Sequence, residues 1–170
     1  MSFDLYFLEP LGDGDWDAAL ESSGEATDEH GLSADRLELW NKLVVELHQL
    51  LPDAEVFESG ESCELTDESS GIQIELFTRE LALSIPYWYS GDGADHMVDV
   101  LRQVAATIEE VSGLVAYDPQ ADAPFIGDGD SSATASFDLV HRALTGSSAN
   151  DPVSDSAPKA RHWWRRILGG

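Results

Sequence analysis

Cysteine occurs once in this chain, as Cys63, which rules out an intrachain disulfide and any multi-cysteine metal site. Basic residues are nearly as scarce. Lysine appears only as Lys42 and Lys159, and 9 Lys and Arg face 33 Asp and Glu, for a formal net charge of -24 over 170 residues. No segment approaches the 18 or so consecutive apolar residues of a membrane span. The opening Met1-Ser2-Phe3-Asp4 does not resemble the basic, then apolar, start of a secretory leader. The expected location is therefore a reducing cytoplasm, without stable membrane insertion.

The charge is unevenly spread. Lys159, Arg161, Arg165 and Arg166 fall in the last twelve residues, where there is no acid, so residues 1–158 carry 5 basic and 33 acidic residues, or -28. A polyanionic body repels nucleic acid and anionic lipid and attracts cationic proteins. The bland alternative is that acidity serves solubility alone, as in salt-adapted proteomes.

Hydrophobic periodicity orders the rest. Ser2 to Leu8 alternates, with Phe3, Leu5 and Phe7 on one side, and reads as a strand. Glu9 to Leu32 is acidic and glycine-rich and reads as a loop, with one short helical turn around Trp16 to Leu20. Ser33 is an N-cap candidate for a helix carrying Leu37, Trp40, Val44, Leu47 and Leu51, stopped by Pro52. Four short strands follow in 54–59, 61–66, 71–78 and 80–88, the last two alternating cleanly between apolar and polar positions. Met97, Leu101, Val104, Ile108 and Val111 mark a second helix ended by Gly113, and 114–117 is a final strand.

The expected fold class is α+β: a mainly antiparallel sheet with two amphipathic helices packed on one face, in the order β-α-β-β-β-β-α-β. This domain spans residues 1–120. A polar extension with a short helix around Ser136 to Leu144 occupies 121–144, a flexible linker 145–158, and a cationic, tryptophan-bearing tail 159–170.

Chemical motifs are sparse. Gly12-Asp13-Gly14-Asp15-Trp16-Asp17 and Gly127-Asp128-Gly129-Asp130 suggest oxygen-coordinated cations, but counting from Asp13 an EF-hand would require glycine at Ala18 and glutamate at Gly24. In so acidic a chain such clusters arise by chance, and a solvated loop is the preferred reading. The histidines His30, His48, His96, His141 and His162 show no ligating spacing, and Cys63 fits a small buried strand residue better than a nucleophile. There is no G-x-S-x-G, P-loop or G-x-G-x-x-G motif. No catalytic residue, metal site or cofactor is implied, and an enzyme ranks last among the readings.

Two aromatic clusters remain. Tyr87-Trp88-Tyr89 closes the fourth of the middle strands, with Asp92 and His96 just beyond. Trp88, Tyr89, Asp92 and His96 form a candidate partner-binding group, whereas Tyr87 at an inward position suits the core. The tail places Arg161, Trp163, Trp164, Arg165 and Arg166 together, suited to docking on the acidic body, to capture by a partner, or less well to an anionic membrane.

Met1-Ser2-Phe3-Asp4-Leu5-Tyr6-Phe7, Gly71-Ile72-Gln73-Ile74-Glu75-Leu76-Phe77, Leu83-Ser84-Ile85-Pro86-Tyr87-Trp88 and Tyr117-Asp118-Pro119-Gln120 together resemble a group of small bacterial proteins, some of which end in a basic Trp-Trp segment. The resemblance covers residues 1–120 and the tail, and carries no catalytic residues. Some members resemble immunity proteins of toxin systems. The acidity of the body points to a non-enzymatic, acidic protein-binding domain that neutralises a basic partner by occlusion, and the resemblance implies an immunity protein as its specific form. The competing expectation is a small-molecule or cation-binding domain using the Tyr87-Trp88-Tyr89 cluster with Asp92 and His96.

Overall fold

A computed structural model describes residues 2–9, 15–24, 31–126 and Phe137. Seven strands form one sheet in the order β2-β3-β4-β5-β1-β6-β7, and every pairing is antiparallel. In chain order the strands are β1 (Ser2–Leu8), β2 (Glu55–Glu58), β3 (Cys63–Asp67), β4 (Ile72–Leu76), β5 (Leu81–Pro86), β6 (Val115–Asp118) and β7 (Ala123–Pro124). The helices are α1 (Trp16–Gly24), α2 (Ala34–Leu50) and α3 (Asp92–Ser112). The class is α+β, as the periodicities imply.

The main core lies between one sheet face and the two amphipathic helices. Alternation sends Phe3, Leu5, Phe7, Leu65, Ile72, Ile74, Leu81, Leu83 and Ile85 inward, against Trp40, Leu43 and Leu47 of α2 and Met97, Leu101, Val104 and Ile108 of α3. Cys63 is buried in this layer, where burial and the nearby Glu58 push its thiol up. Ser33 Oγ accepts the Arg36 amide at the start of α2 (3.2 Å). Gly113 ends α3 at φ 73°, a left-handed conformation open to glycine at little cost.

Arg36 ties α2 to the sheet. Its Nη2 donates to the carbonyls of Phe77 (2.6 Å) and Glu80 (2.7 Å), and Nε donates to Phe77 O (3.1 Å), closing the β4–β5 turn. Charge-assisted bonds to carbonyls are worth about 1.5–3 kcal/mol each in dry surroundings and less where solvent reaches them. Arg36→Ala is therefore expected to cost about 2 kcal/mol, measured by urea unfolding. A loss below about 0.5 kcal/mol would show the clamp to be ornamental.

Three features extend the expected architecture. The segment expected as a loop with one turn contains a nine-residue helix, α1. It forms because Asp15 Oδ1 accepts the Ala18 amide (3.0 Å) as an N-cap, while Trp16, Ala19 and Leu20 bury against Tyr6, Leu8 and Tyr117. These partners alternate with the inward residues of β1, so α1 lies on the sheet face opposite α2 and α3. The sheet also continues past residue 120 into β7, with Phe125 buried. Phe137 packs into the core against Phe3 (5.7 Å between centroids) and Tyr87 (5.2 Å). The rest of 127–144, the linker 145–158 and the tail 159–170 lie outside the described residues.

Candidate functional site

The face of the sheet turned away from α2 and α3 is divided in two. Its β1–β6 half is covered by α1, with Trp16 stacked on Tyr117 at 5.4 Å. Its β2–β5 half carries polar side chains in two cross-strand rows. One runs Asp4, Ser84, Gln73, Thr66, Glu55; the next starts at Tyr6 and Ala82, which pack with α1, and continues through Glu75 and Glu64 to the apolar Phe57. Glu80, immediately before β5, extends the same side.

This half-face concentrates acid, and the strands that build it supply no basic side chain. No Lys, Arg or His occurs in any of the seven described strands. Glu64 stands directly opposite Glu75, an arrangement that is destabilising between like charges. Thr66 Oγ1 (2.7 Å) and Gln73 Nε2 (2.9 Å) donate to Glu64 Oε1 and hold that carboxylate on the face. Burial raises the Asp4 carboxyl, partly offset by the Ser2 hydroxyl. Burial, then the charges of Glu64 and Asp4, raise Glu75; burial, then Glu75, raise Glu80. Tyr6 is pushed well up by burial and by Asp4, Glu80 and Glu75.

These shifts set a pH dependence. A carboxyl whose folded pKa is raised keeps its proton to higher pH than in the unfolded chain, so stability falls as pH rises between the two values. Melting temperature is therefore expected to rise as pH falls from about 7 to about 5, the window above the ordinary carboxylate range. Asp67 works in the opposite sense. Burial raises it, but hydrogen bonds from Ser70 and Ser69 outweigh this and hold it below its usual value, so its contribution is lost below about pH 4. A melting temperature that falls from pH 7 to 5 would contradict the strain assigned to the acidic face.

Two exposed aromatics flank the acids. Phe57, 63% exposed, stands beside Glu64 at the β2 edge, and Trp88, 69% exposed, lies past the end of β5. The Trp88 ring folds over Gly71 beside Pro86: a Cβ at Gly71 would sit 3.0 Å from the indole and 2.9 Å from the proline ring. Gly71 also holds φ +70°, so both its conformation and the close approach call for glycine.

The structure distributes the residues singled out from sequence. Trp88 joins the acidic face. Tyr89 is half-buried and donates to the Ser70 carbonyl (2.8 Å), and Tyr87 donates to Gln120 Oε1 (2.7 Å) while its ring packs on Phe3 and Phe137. Burial pushes the Tyr87 hydroxyl up to about 12, so it stays protonated and donating. Asp92 and His96 are exposed on the first turns of α3, in the layer on the other side of the sheet. Arg161, Trp163, Trp164, Arg165 and Arg166 lie outside the described residues.

No family model, curated protein or solved structure matches this chain. Among the described residues, no group of three His, Cys, Asp or Glu side chains is placed to hold a metal, and no helix is long and apolar enough to cross a membrane. The Tyr-Asp-Pro-Gln segment behind the sequence resemblance serves the fold: Asp118 Oδ1 accepts the Gln120 (2.8 Å) and Ala121 (3.3 Å) amides, and Tyr117 donates to Asp122 (2.8 Å).

Sequence reasoning passed over Asp4, Phe57, Glu64, Glu75 and Glu80. Their signal was present as the polar half of each strand alternation, but acids on a wet face are common. Only the register sets Glu64 against Glu75 and aligns them with Phe57. Chemically, such a face attracts a cationic surface and offers apolar anchors at its rim.

Proposed function

We propose that this protein is a non-enzymatic binding domain for a basic protein, and that the open β2–β5 half of its sheet is the contact surface. The observation that carries the reading is the registered Glu64–Glu75 pair, set among Asp4, Glu55 and Glu80 with no basic residue in the strands, and rimmed by Phe57 and Trp88. Like charges brought together at a cost to stability are relieved when a cationic partner covers them. Long-range attraction would speed encounter, and the two aromatics would supply the desolvated contacts that hold the complex. Nucleic acid is a poor candidate for such a face.

Neutralising a basic toxin by occlusion is the specific role this reading extends to, on the strength of the resemblance to immunity-like bacterial proteins. The competing small-molecule reading loses two of its groups, since the Tyr87 and Tyr89 hydroxyls are engaged within the fold. The test is capture from native lysate at low and high salt, comparing the wild-type chain with the E64Q/E75Q double variant. Basic proteins held by the wild type at low salt, released at high salt and lost with the variant are the expected result. Capture that survives neutralisation of the face overturns the assignment of the surface.

A further inference from the structure

The acidic half-face and the cationic end of the chain are complementary in charge and in aromatic content. The face carries Asp4, Glu55, Glu64, Glu75 and Glu80, with Phe57 and Trp88 at its rim. The segment from Lys159 to Leu168 carries Lys159, Arg161, Arg165 and Arg166 around Trp163-Trp164, and no acid. We propose that this segment docks on the open β2–β5 face of its own domain and competes there with external basic ligands. The proposal rests on the reading of that face as a cation-binding surface and names its resident occupant.

The connection permits it. Phe137 is buried against Phe3, Tyr87 and Tyr89 in the core on the other side of the sheet, which fixes a point of the chain near the end of β5, and the chain passes from there around the sheet to the face that Trp88 borders. Arg161 lies 24 residues further on. At a helical rise of about 1.5 Å per residue that length spans about 36 Å. The distance from β5 across β4 and β3 to β2 is three strand spacings, about 14 Å. Attachment to the same chain makes docking intramolecular, so individually weak arginine–carboxylate contacts suffice for occupancy. Arginine matches the site chemically, since its planar fork engages carboxylates in pairs and stacks on exposed rings such as Phe57 and Trp88.

The other candidate surface fits less well. The open groove between α2 and α3 is lined by Glu38, Glu46 and Glu110, but also by Lys42, whose ammonium pairs with Glu38 at 2.7 Å and meets part of that charge. The β2–β5 face holds its acids without such an internal partner among the strand residues.

The test uses the full chain. Backbone amide NMR spectra of the wild type and of R161A/R165A/R166A are compared at low salt, and each protein is then titrated with a decaarginine peptide. The expected result is that the triple substitution shifts amides of Thr66, Gln73, Glu75 and Ser84, that 0.5 M salt produces the same shifts in the wild type, and that decaarginine binds the triple variant at least about tenfold more tightly. Shifts confined to α2 and α3, or shifts that scale with protein concentration and so mark docking between copies, overturn the proposal. If the triple substitution moves no face amide while decaarginine still binds the face of both proteins, self-docking fails and the basic-partner reading stands. If decaarginine binds neither protein at the face, both fail.

Discussion

The E64Q/E75Q double variant is expected to be more stable than the wild-type protein and to bind its basic partner about 100-fold more weakly at low salt. The two effects share one cause. Glu64 and Glu75 are registered opposite each other, and burial followed by the charges of Glu64 and Asp4 raises Glu75, so their joint ionisation at neutral pH opposes folding. Removing a directly opposed like-charge pair returns about 0.5–1 kcal/mol, or about 1–4 °C in melting temperature for a chain of this size. The glutamine carbonyl at 64 still accepts from Thr66 and Gln73, so the local network survives. Binding moves the other way, since each carboxylate covered by a cation is worth about tenfold in affinity. Thermal unfolding at pH 7 and titration calorimetry with the captured partner measure the two signs independently. A variant that loses both stability and binding would mean that the carboxylates serve the fold; a variant that gains stability and keeps full affinity would place the contact elsewhere.

The second large effect concerns the part of the chain beyond the expected domain end. Phe137→Ala is expected to destabilise the protein by about 3–5 kcal/mol, because a fully buried phenyl ring is removed from a cluster that cannot collapse around the void. Its ring lies 5.7 Å from Phe3, 5.2 Å from Tyr87 and 6.5 Å from Tyr89, measured between centroids. Phe3 sits on the interior strand β1 and Tyr87 directly after the central strand β5, so the loss would reach the middle of the sheet. Urea unfolding monitored by near-UV circular dichroism reads the change. A cost under about 1 kcal/mol would mean that the segment after residue 126 adds little to the core.

The same contact bears on function. By anchoring the chain against Phe3, Tyr87 and Tyr89 near the end of β5, Phe137 sets where the remaining residues start relative to the acidic face. Phe137→Ala would thus lower the effective concentration of the tail at that face as well as loosening the fold, whereas E64Q/E75Q removes the docking surface with the fold intact. Comparing the two separates tethering from complementarity.

Local pattern by itself settled the kind of element at most positions. The two-residue alternation of Phe3, Leu5 and Phe7, or of Ile72, Ile74 and Leu76, and the three- and four-residue steps of the two long helices each report which side chains must leave water, and that requirement acts within a few residues. The α+β class, the two helices on one face and the inward position of Tyr87 follow from it. Strand order and register do not, because they depend on contacts between distant segments. Nothing local announces that β1 inserts between β5 and β6, that Asp15 and Tyr117 together stabilise α1 in an acidic stretch, or that Phe137 returns to Phe3. Glutamates that read as ordinary wet-face residues became a candidate site only when antiparallel pairing set Glu64 against Glu75 and placed Phe57 and Trp88 at the rim. Charge composition is a property of the sequence, but where that charge concentrates is decided by the packing that aligns one strand with the next.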